Sequence, residues 1–234
     1  MSKKKIALIA IIVILVGSFG FLYSKGWIHK TFEAGGTATS MLQEAKSQEP
    51  LAYIPDDPKA GIIFYPGGLV DHLAYAPLLA ELEDRGIAAI MLKTKTGLPM
   101  FESGIAEGVK DEYPEVQTWY IAGHSMGGIA AASFLAEHPE DFCGLILLAS
   151  YSTKDISDLA TKALLIYGTE DGEMNREMYE ENKVLLPNYE EYIIKGGCHS
   201  YFADYGLQGE ETKPSISPEK QWKLTADRIK KFIL

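Results

Sequence analysis

Gly123-His124-Ser125-Met126-Gly127-Gly128 is the stretch whose residue types and spacing most clearly suggest chemistry. An apolar run, Thr118 to Ala122, comes just before it, and an alanine-rich stretch with helical character, Met126 to Glu137, follows directly. In that strand–turn–helix setting only small residues fit beside the serine, and its hydroxyl is lifted clear of the sheet at a helix N-terminus. The backbone N–H of Met126 then faces the place where negative charge would develop on an attacked carbonyl. The bland alternative is a glycine-rich turn carrying an idle serine.

Such a turn needs a sheet to hold it, and the chain supplies one. Apolar runs recur at Ala60 to Tyr65, Ile87 to Leu92, Thr118 to Ala122, Phe142 to Ala149 and Ala163 to Tyr167, with Glu190 to Ile194 as a later strand. Between them lie segments read as helices: Tyr75 to Asp84, Phe101 to Lys110 more weakly, Met126 to Glu137 and Glu173 to Leu186. Ser217 caps a last helix with Pro218 at its first position. Strands alternating with helices imply an α/β fold, a mostly parallel sheet with helices on both faces. In such sheets the site lies beyond the carboxyl ends of the strands, so the residues just after each run matter most.

The size and charge of the chain narrow the classes further. A chain of 234 residues can bury a sizeable core without staples. Two cysteines do not make a disulfide scaffold. Apart from the lysines at 3, 4, 5 and 25, the chain keeps 18 basic and 32 acidic side chains, a net charge of −14. Such an acidic body argues against a nucleic-acid partner and against broad contact with anionic lipid.

With its serine turn, the Phe64-Tyr65-Pro66-Gly67-Gly68-Leu69-Val70-Asp71 stretch and a late Gly196-Gly197-Cys198-His199 block, the chain resembles the α/β-hydrolase superfamily over residues 51 to 234. Among its members it looks most like small bacterial serine hydrolases. The resemblance implies a sheet of about eight strands and acyl hydrolysis from a serine, most simply of a carboxylic ester. It implies no particular substrate.

The resemblance also supplies roles for further residues. A serine hydroxyl needs a base. Of the five histidines, His199 sits in a glycine-flanked loop after the last strand, where the superfamily carries its base. His72 follows the Pro66-Gly67-Gly68 turn and could line the pocket, but is read in preference as a surface residue. The orienting acid is expected three residues after Gly168, at Asp171, with Glu170 its close rival and Asp155 and Asp158 distant ones. The catalytic set is therefore Ser125, Asp171 and His199. A second oxyanion donor should come from the loop Pro66-Gly67-Gly68-Leu69, as the N–H of Leu69 or else of Gly68, beside that of Met126. Lys93 sits where a cation could meet an anionic substrate, and Tyr201, Phe202 and Tyr205 could cover the site or simply pack. The thirteen residues Ser150 to Lys162 are too few for a helical cap domain. No metal or organic cofactor is implied, and the expected partner is a small-molecule or lipid-like acyl substrate. Alternatives are a peptidase or thioesterase on the same three residues, or an inactive surface binding protein on the same fold.

Lys3, Lys4 and Lys5 precede Ile6 to Tyr23, 18 uncharged and mostly apolar residues. Residues 1–26 are read as an uncleaved transmembrane anchor that leaves the body outside the cytoplasm. The alternative is a signal peptide cut near Ser18-Phe19-Gly20, which would make the protein secreted. Residues 27–50 are read as a linker, Gly35 to Thr39, followed by a short helix capped by Ser40. Cys143 is expected to be buried at the amino end of its strand and Cys198 to lie at the opposite end near His199, about 20 Å away. A disulfide needs Cα atoms within about 7 Å, so two free thiols are expected.

Overall fold

The computed structural model describes residues 31–209, 211 and 214–234. The expected anchor at residues 1–26 lies outside these. Among the described residues no helix is long and apolar enough to cross a membrane.

The apolar runs form the strands for the reason that they are apolar throughout. They are sandwiched between helices, so both faces are covered and no polar alternation is needed. In chain order the strands are β1 (Ser47–Gln48), β2 (Leu51–Tyr53), β3 (Ala60–Tyr65), β4 (Ile87–Met91), β5 (Trp119–His124), β6 (Gly144–Leu148), β7 (Lys162–Gly168) and β8 (Tyr189–Ile194). They make one sheet in the order β1-β2-β4-β3-β5-β6-β7-β8. From β4 to β8 every neighbouring pair is parallel. Only the short β1 and β2 run antiparallel. Every residue of β3, β4, β5 and β6 is buried.

The helices are α1 (Gly36–Met41), α2 (Ala76–Glu83), α3 (Met126–Glu137), α4 (Arg176–Asn182) and α5 (Pro218–Ile233). Helix α3 lies against β3, β5 and β6, whereas α2 packs on α5. Small alanines let α3 approach the sheet closely, and Ala130, Ala131 and Ala132 are fully buried there. Helix α5 is amphipathic. It buries Trp222, Ile229 and Phe232, each worth about 2 kcal/mol of transfer energy. Ser217 caps it by accepting the Lys220 N–H at 3.3 Å.

Four sequence expectations need correction. Helix α1 begins at Gly36, inside the stretch expected to be a linker, and ends at Met41, where the capped helix was expected to be starting. The Asp204 carboxylate, remote in sequence, accepts the Ala38 N–H at 2.8 Å and so holds its first turn. Residues 101–110 form short 3-10 turns and no α-helix, and Gly108 breaks the run at φ 76°. Cys143 is exposed, because pairing with β7 begins at Gly144 and Cys143 lies on the strand's approach. His72 is buried, its Nε2 2.9 Å from the Gln48 carbonyl. Both cysteines are free thiols.

Candidate active site

Ser125 joins β5 to α3 at φ 53° and ψ −124°, a conformation that L-residues rarely adopt. It persists only where the surroundings impose it, at a cost of roughly 1–3 kcal/mol. Here the Ser125 N–H donates to the Leu148 carbonyl at 2.9 Å, and the Ser125 carbonyl accepts from Ser150 Oγ at 2.6 Å. Two glycines make the turn possible by close approach. A Cβ on Gly123 would lie 2.2 Å from the Gly127 backbone, and one on Gly127 would lie 2.3 Å from the Pro66 carbonyl oxygen. The second approach also sets the loop after β3 directly against the start of α3.

Asp171 and His199 meet beyond the carboxyl ends of β7 and β8. His199 Nδ1 lies 3.1 Å from Asp171 Oδ2, and both side chains are almost wholly out of solvent. The other carboxylate oxygen, Oδ1, accepts the N–H groups of Glu173 at 3.0 Å and Met174 at 2.9 Å. Burial pushes the Asp171 carboxyl up, but the His199 hydrogen bond and charge and these two N–H groups more than offset it. The group ends below the ordinary carboxylate range. A carboxylate on Nδ1 leaves the neutral imidazole with its lone pair on Nε2. The rival Glu170 accepts from its neighbour Thr169 Oγ1 at 3.0 Å. Asp155 is exposed and accepts from Ser157; Asp158 is exposed as well.

The loop carrying His199 is held from outside. Gln221 on α5 accepts the Cys198 N–H at 3.0 Å and donates to the Cys198 carbonyl at 2.8 Å, clamping the residue before His199. Glu211 accepts the Ser200 N–H at 3.0 Å on the other side. Phe202 is fully buried with its ring 5.5 Å from His124, and so it packs and does not cover. Lys93 is paired with Glu49.

Of the two expected loop donors, Leu69 is already engaged. Its N–H donates to the Gly97 carbonyl at 2.7 Å. The N–H groups of Gly68 and Met126 have no acceptor among the described residues. The two residues adjoin: a Cβ on Gly68 would lie 3.1 Å from the Met126 side chain. Of the three N–H groups named in the sequence, those of Gly68 and Met126 are thus the two left unengaged, side by side.

Reading the sequence missed a buried link between these parts. Tyr75 Oη accepts the Gly67 N–H at 2.8 Å and lies 2.7 Å from His124 Nδ1. Burial pushes the Tyr75 phenol up, so it stays protonated and donates to His124. Burial, with the neighbouring His199, holds His124 well below the ordinary imidazole range. His124 is thus neutral, and its Nε2 has no hydrogen-bond partner among the described residues. Its ring stands 4.7 Å from that of His199. One phenol thus ties the loop after β3 to the serine turn, and the turn touches His199. Nothing in the sequence signals this, since Tyr75 lies 49 residues from His124 on the flank of an ordinary helix. Among the described residues no three His, Cys, Asp or Glu side chains gather as metal ligands would.

The fold is shared with known proteins. Est1E from Butyrivibrio proteoclasticus is 14% identical in sequence, with a TM-score of 0.57 over 78% of this chain and 91% of its own. A thermophilic esterase from Thermogutta terrifontis is 11% identical, with a TM-score of 0.58 over 81% of this chain and 96% of its own. At such identities the likeness is one of fold. A comparison with curated protein sequences gives no significant match. The pattern of the alpha/beta hydrolase family matches residues 61–223, which span every strand from β3 to β8 together with Ser125, Asp171 and His199. On the strength of that match and of the fold, the chain belongs to the alpha/beta hydrolase family and is a hydrolase.

Proposed function

We propose that the protein is a serine hydrolase that cleaves an ester or related acyl bond. The observation that carries the reading is the buried Asp171–His199 pair at 3.1 Å, at the end of the sheet where Ser125 is held in its forced turn. In this reading His199 Nε2 takes the proton from Ser125 Oγ as the oxygen attacks the substrate carbonyl. The N–H groups of Gly68 and Met126 stabilise the oxyanion, and the protonated His199 gives its proton to the leaving alcohol. Water then attacks the acyl carbon as His199 takes its proton, and His199 returns that proton to Ser125 Oγ as the acid leaves. Asp171 fixes the ring's tautomer and stabilises the imidazolium without itself taking the proton. The esterases among the structural neighbours support an ester substrate, and one of them was solved with ferulic acid bound. Residues 149–161 between β6 and β7 contain no helix, which supports an open site without a cap domain. Ser125→Ala should abolish both turnover of p-nitrophenyl esters and labelling by a fluorophosphonate probe, a loss of at least about 10³-fold. Retention of more than about a tenth of the activity would refute the assignment.

We also propose that residues 1–26 tether this hydrolase to a membrane with the body outside the cytoplasm, on the strength of the lysines and apolar run in that segment. Cell fractions should release it only with detergent. A soluble product trimmed near Phe21 would show a cleaved signal instead.

A further inference from the structure

Leu69 flanks the proposed oxyanion donor and is one of three non-glycine residues with positive φ among the described residues, at 59°. For a residue with a Cβ this left-handed conformation costs roughly 1–2 kcal/mol and has to be imposed. Two separate segments impose it. On one side the Leu69 N–H bonds to the Gly97 carbonyl. On the other, the Leu69 carbonyl accepts the Phe32 N–H at 2.7 Å, and the Phe32 carbonyl accepts the Asp71 N–H at 2.9 Å. Phe32 thus forms a parallel bridge to Val70.

The same short segment reaches the base loop. The Phe32 ring lies 5.3 Å from that of Tyr205. The Gly35 N–H donates to the Asp204 carbonyl at 2.6 Å, and the Ala38 N–H to the Asp204 carboxylate. Asp204 in turn donates its own N–H to the Ala74 carbonyl, just before Tyr75. Residues 32–38 therefore bond to the loop after β3 and, just beyond His199, to the loop after β8. A segment that merely covered the core would bury apolar side chains, as Ala38 does. This one adds backbone bonds at a strained residue of the loop expected to stabilise the oxyanion. The Gly67–Gly68 peptide, which carries the Gly68 N–H, lies between two peptides that are each held, one by Tyr75 Oη and the other by the Gly97 carbonyl. The Phe32 bond fixes the next link.

We propose that residues 32–38 are a positioning element of the active site, a brace that holds the Gly68–Leu69 loop in register with the His199 loop. The proposal rests on the serine hydrolase reading above. It follows that any trimming of the N-terminal region compatible with activity has to stop before Phe32.

The test uses the full-length chain in detergent, with p-nitrophenyl acetate turnover, the rate of fluorophosphonate labelling and the melting temperature measured together. Phe32→Pro deletes the N–H donated to Leu69. It should lower kcat and the labelling rate by about 30-fold while KM stays within about 2-fold, because displaced oxyanion donors cost the transition state and not ground-state binding. Phe32→Ala keeps the N–H and should lose less, about 3-fold. Asp204→Ala loosens the other end and should cost about 5-fold, again in kcat. Ser40→Ala, exposed on α1 two residues beyond the brace, is the unchanged control. The pH–rate profile should keep its shape in every variant, since the base is not touched. A folded Phe32→Pro chain with wild-type kcat and labelling would overturn the proposal. If that variant fails to melt cooperatively, Phe32→Ala and Asp204→Ala decide. A lowered kcat at unchanged KM in either supports the brace, and wild-type kcat in both overturns it. A wild-type chain that neither turns over esters nor labels at Ser125 would instead refute the hydrolase reading, and the brace with it.

Discussion

The serine turn and the loop after β3 stand side by side and are built in opposite ways. The turn is made from consecutive residues. A Cβ on Gly123 would meet the Gly127 backbone four residues on, so the tightness of the turn is a fit between near neighbours, to which Leu148, Ser150 and the Pro66 carbonyl add outside contacts. The loop after β3 contains no comparable internal fit. Its Gly67 is held by Tyr75, its Leu69 by Gly97 and Phe32, and its Val70 by pairing with Phe32. A site half of which is fixed locally and half remotely should fail in two different ways when disturbed. The local half should fail all at once, and the remote half by degrees.

The largest effect is expected in the turn. In Gly127→Ala the new methyl would meet two backbone carbonyl oxygens, of Pro66 and Tyr65, at 2.3 and 2.4 Å, and neither can give way as a flexible side chain would. A loss of about 3 kcal/mol or more in urea unfolding is expected, with no probe labelling. A stable, labelled Gly127→Ala protein would erase the contrast. Next comes Asp171→Asn. Its carboxylate is also held by a local turn, so the substitution should keep the fold yet lower kcat by about 10³- to 10⁴-fold through the wrong His199 tautomer. Glu170→Gln should stay within about 3-fold in the same assay. The opposite ranking would move the acid to Glu170. A smaller effect than in the turn or at Asp171 belongs to the remotely held loop. Tyr75→Phe leaves the Gly67 N–H without its partner and His124 Nδ1 without a donor. That should cost about 1–3 kcal/mol of stability and about 10-fold in kcat. Loss of activity as complete as in Gly127→Ala would show the loop to be as brittle as the turn.

The same contrast explains what could be read in the sequence. Strands β3 to β7 were legible because burial on both faces makes them continuous apolar runs. Ser125 was legible because its neighbours in sequence are its neighbours in space. That the Leu69 N–H is taken up by Gly97, 28 residues away, could not be read, because no local pattern records it. Helix α1 was misplaced for a related reason. Its two leading glycines read as a linker, and the carboxylate that holds its first turn belongs to Asp204, 166 residues further on. The expected helix at 101–110 has the right apolar spacing but also Gly104 and Gly108, and the glycines prevail. Cys143 was taken for a buried strand residue because an apolar run does not show where pairing starts.

Cys198 and Cys143 differ in a way that makes the first of them a clock. Cys143 is exposed and should react with a thiol reagent at once. Cys198 has no accessible surface, its peptide is clamped on both sides by Gln221, and burial together with the Glu211 charge pushes its thiol up to about 12. Only a transient opening can bring that sulfur to the reagent as a thiolate. Because the next residue is His199, the slow phase of thiol modification in the untouched wild-type protein times how often the loop carrying His199 comes undone.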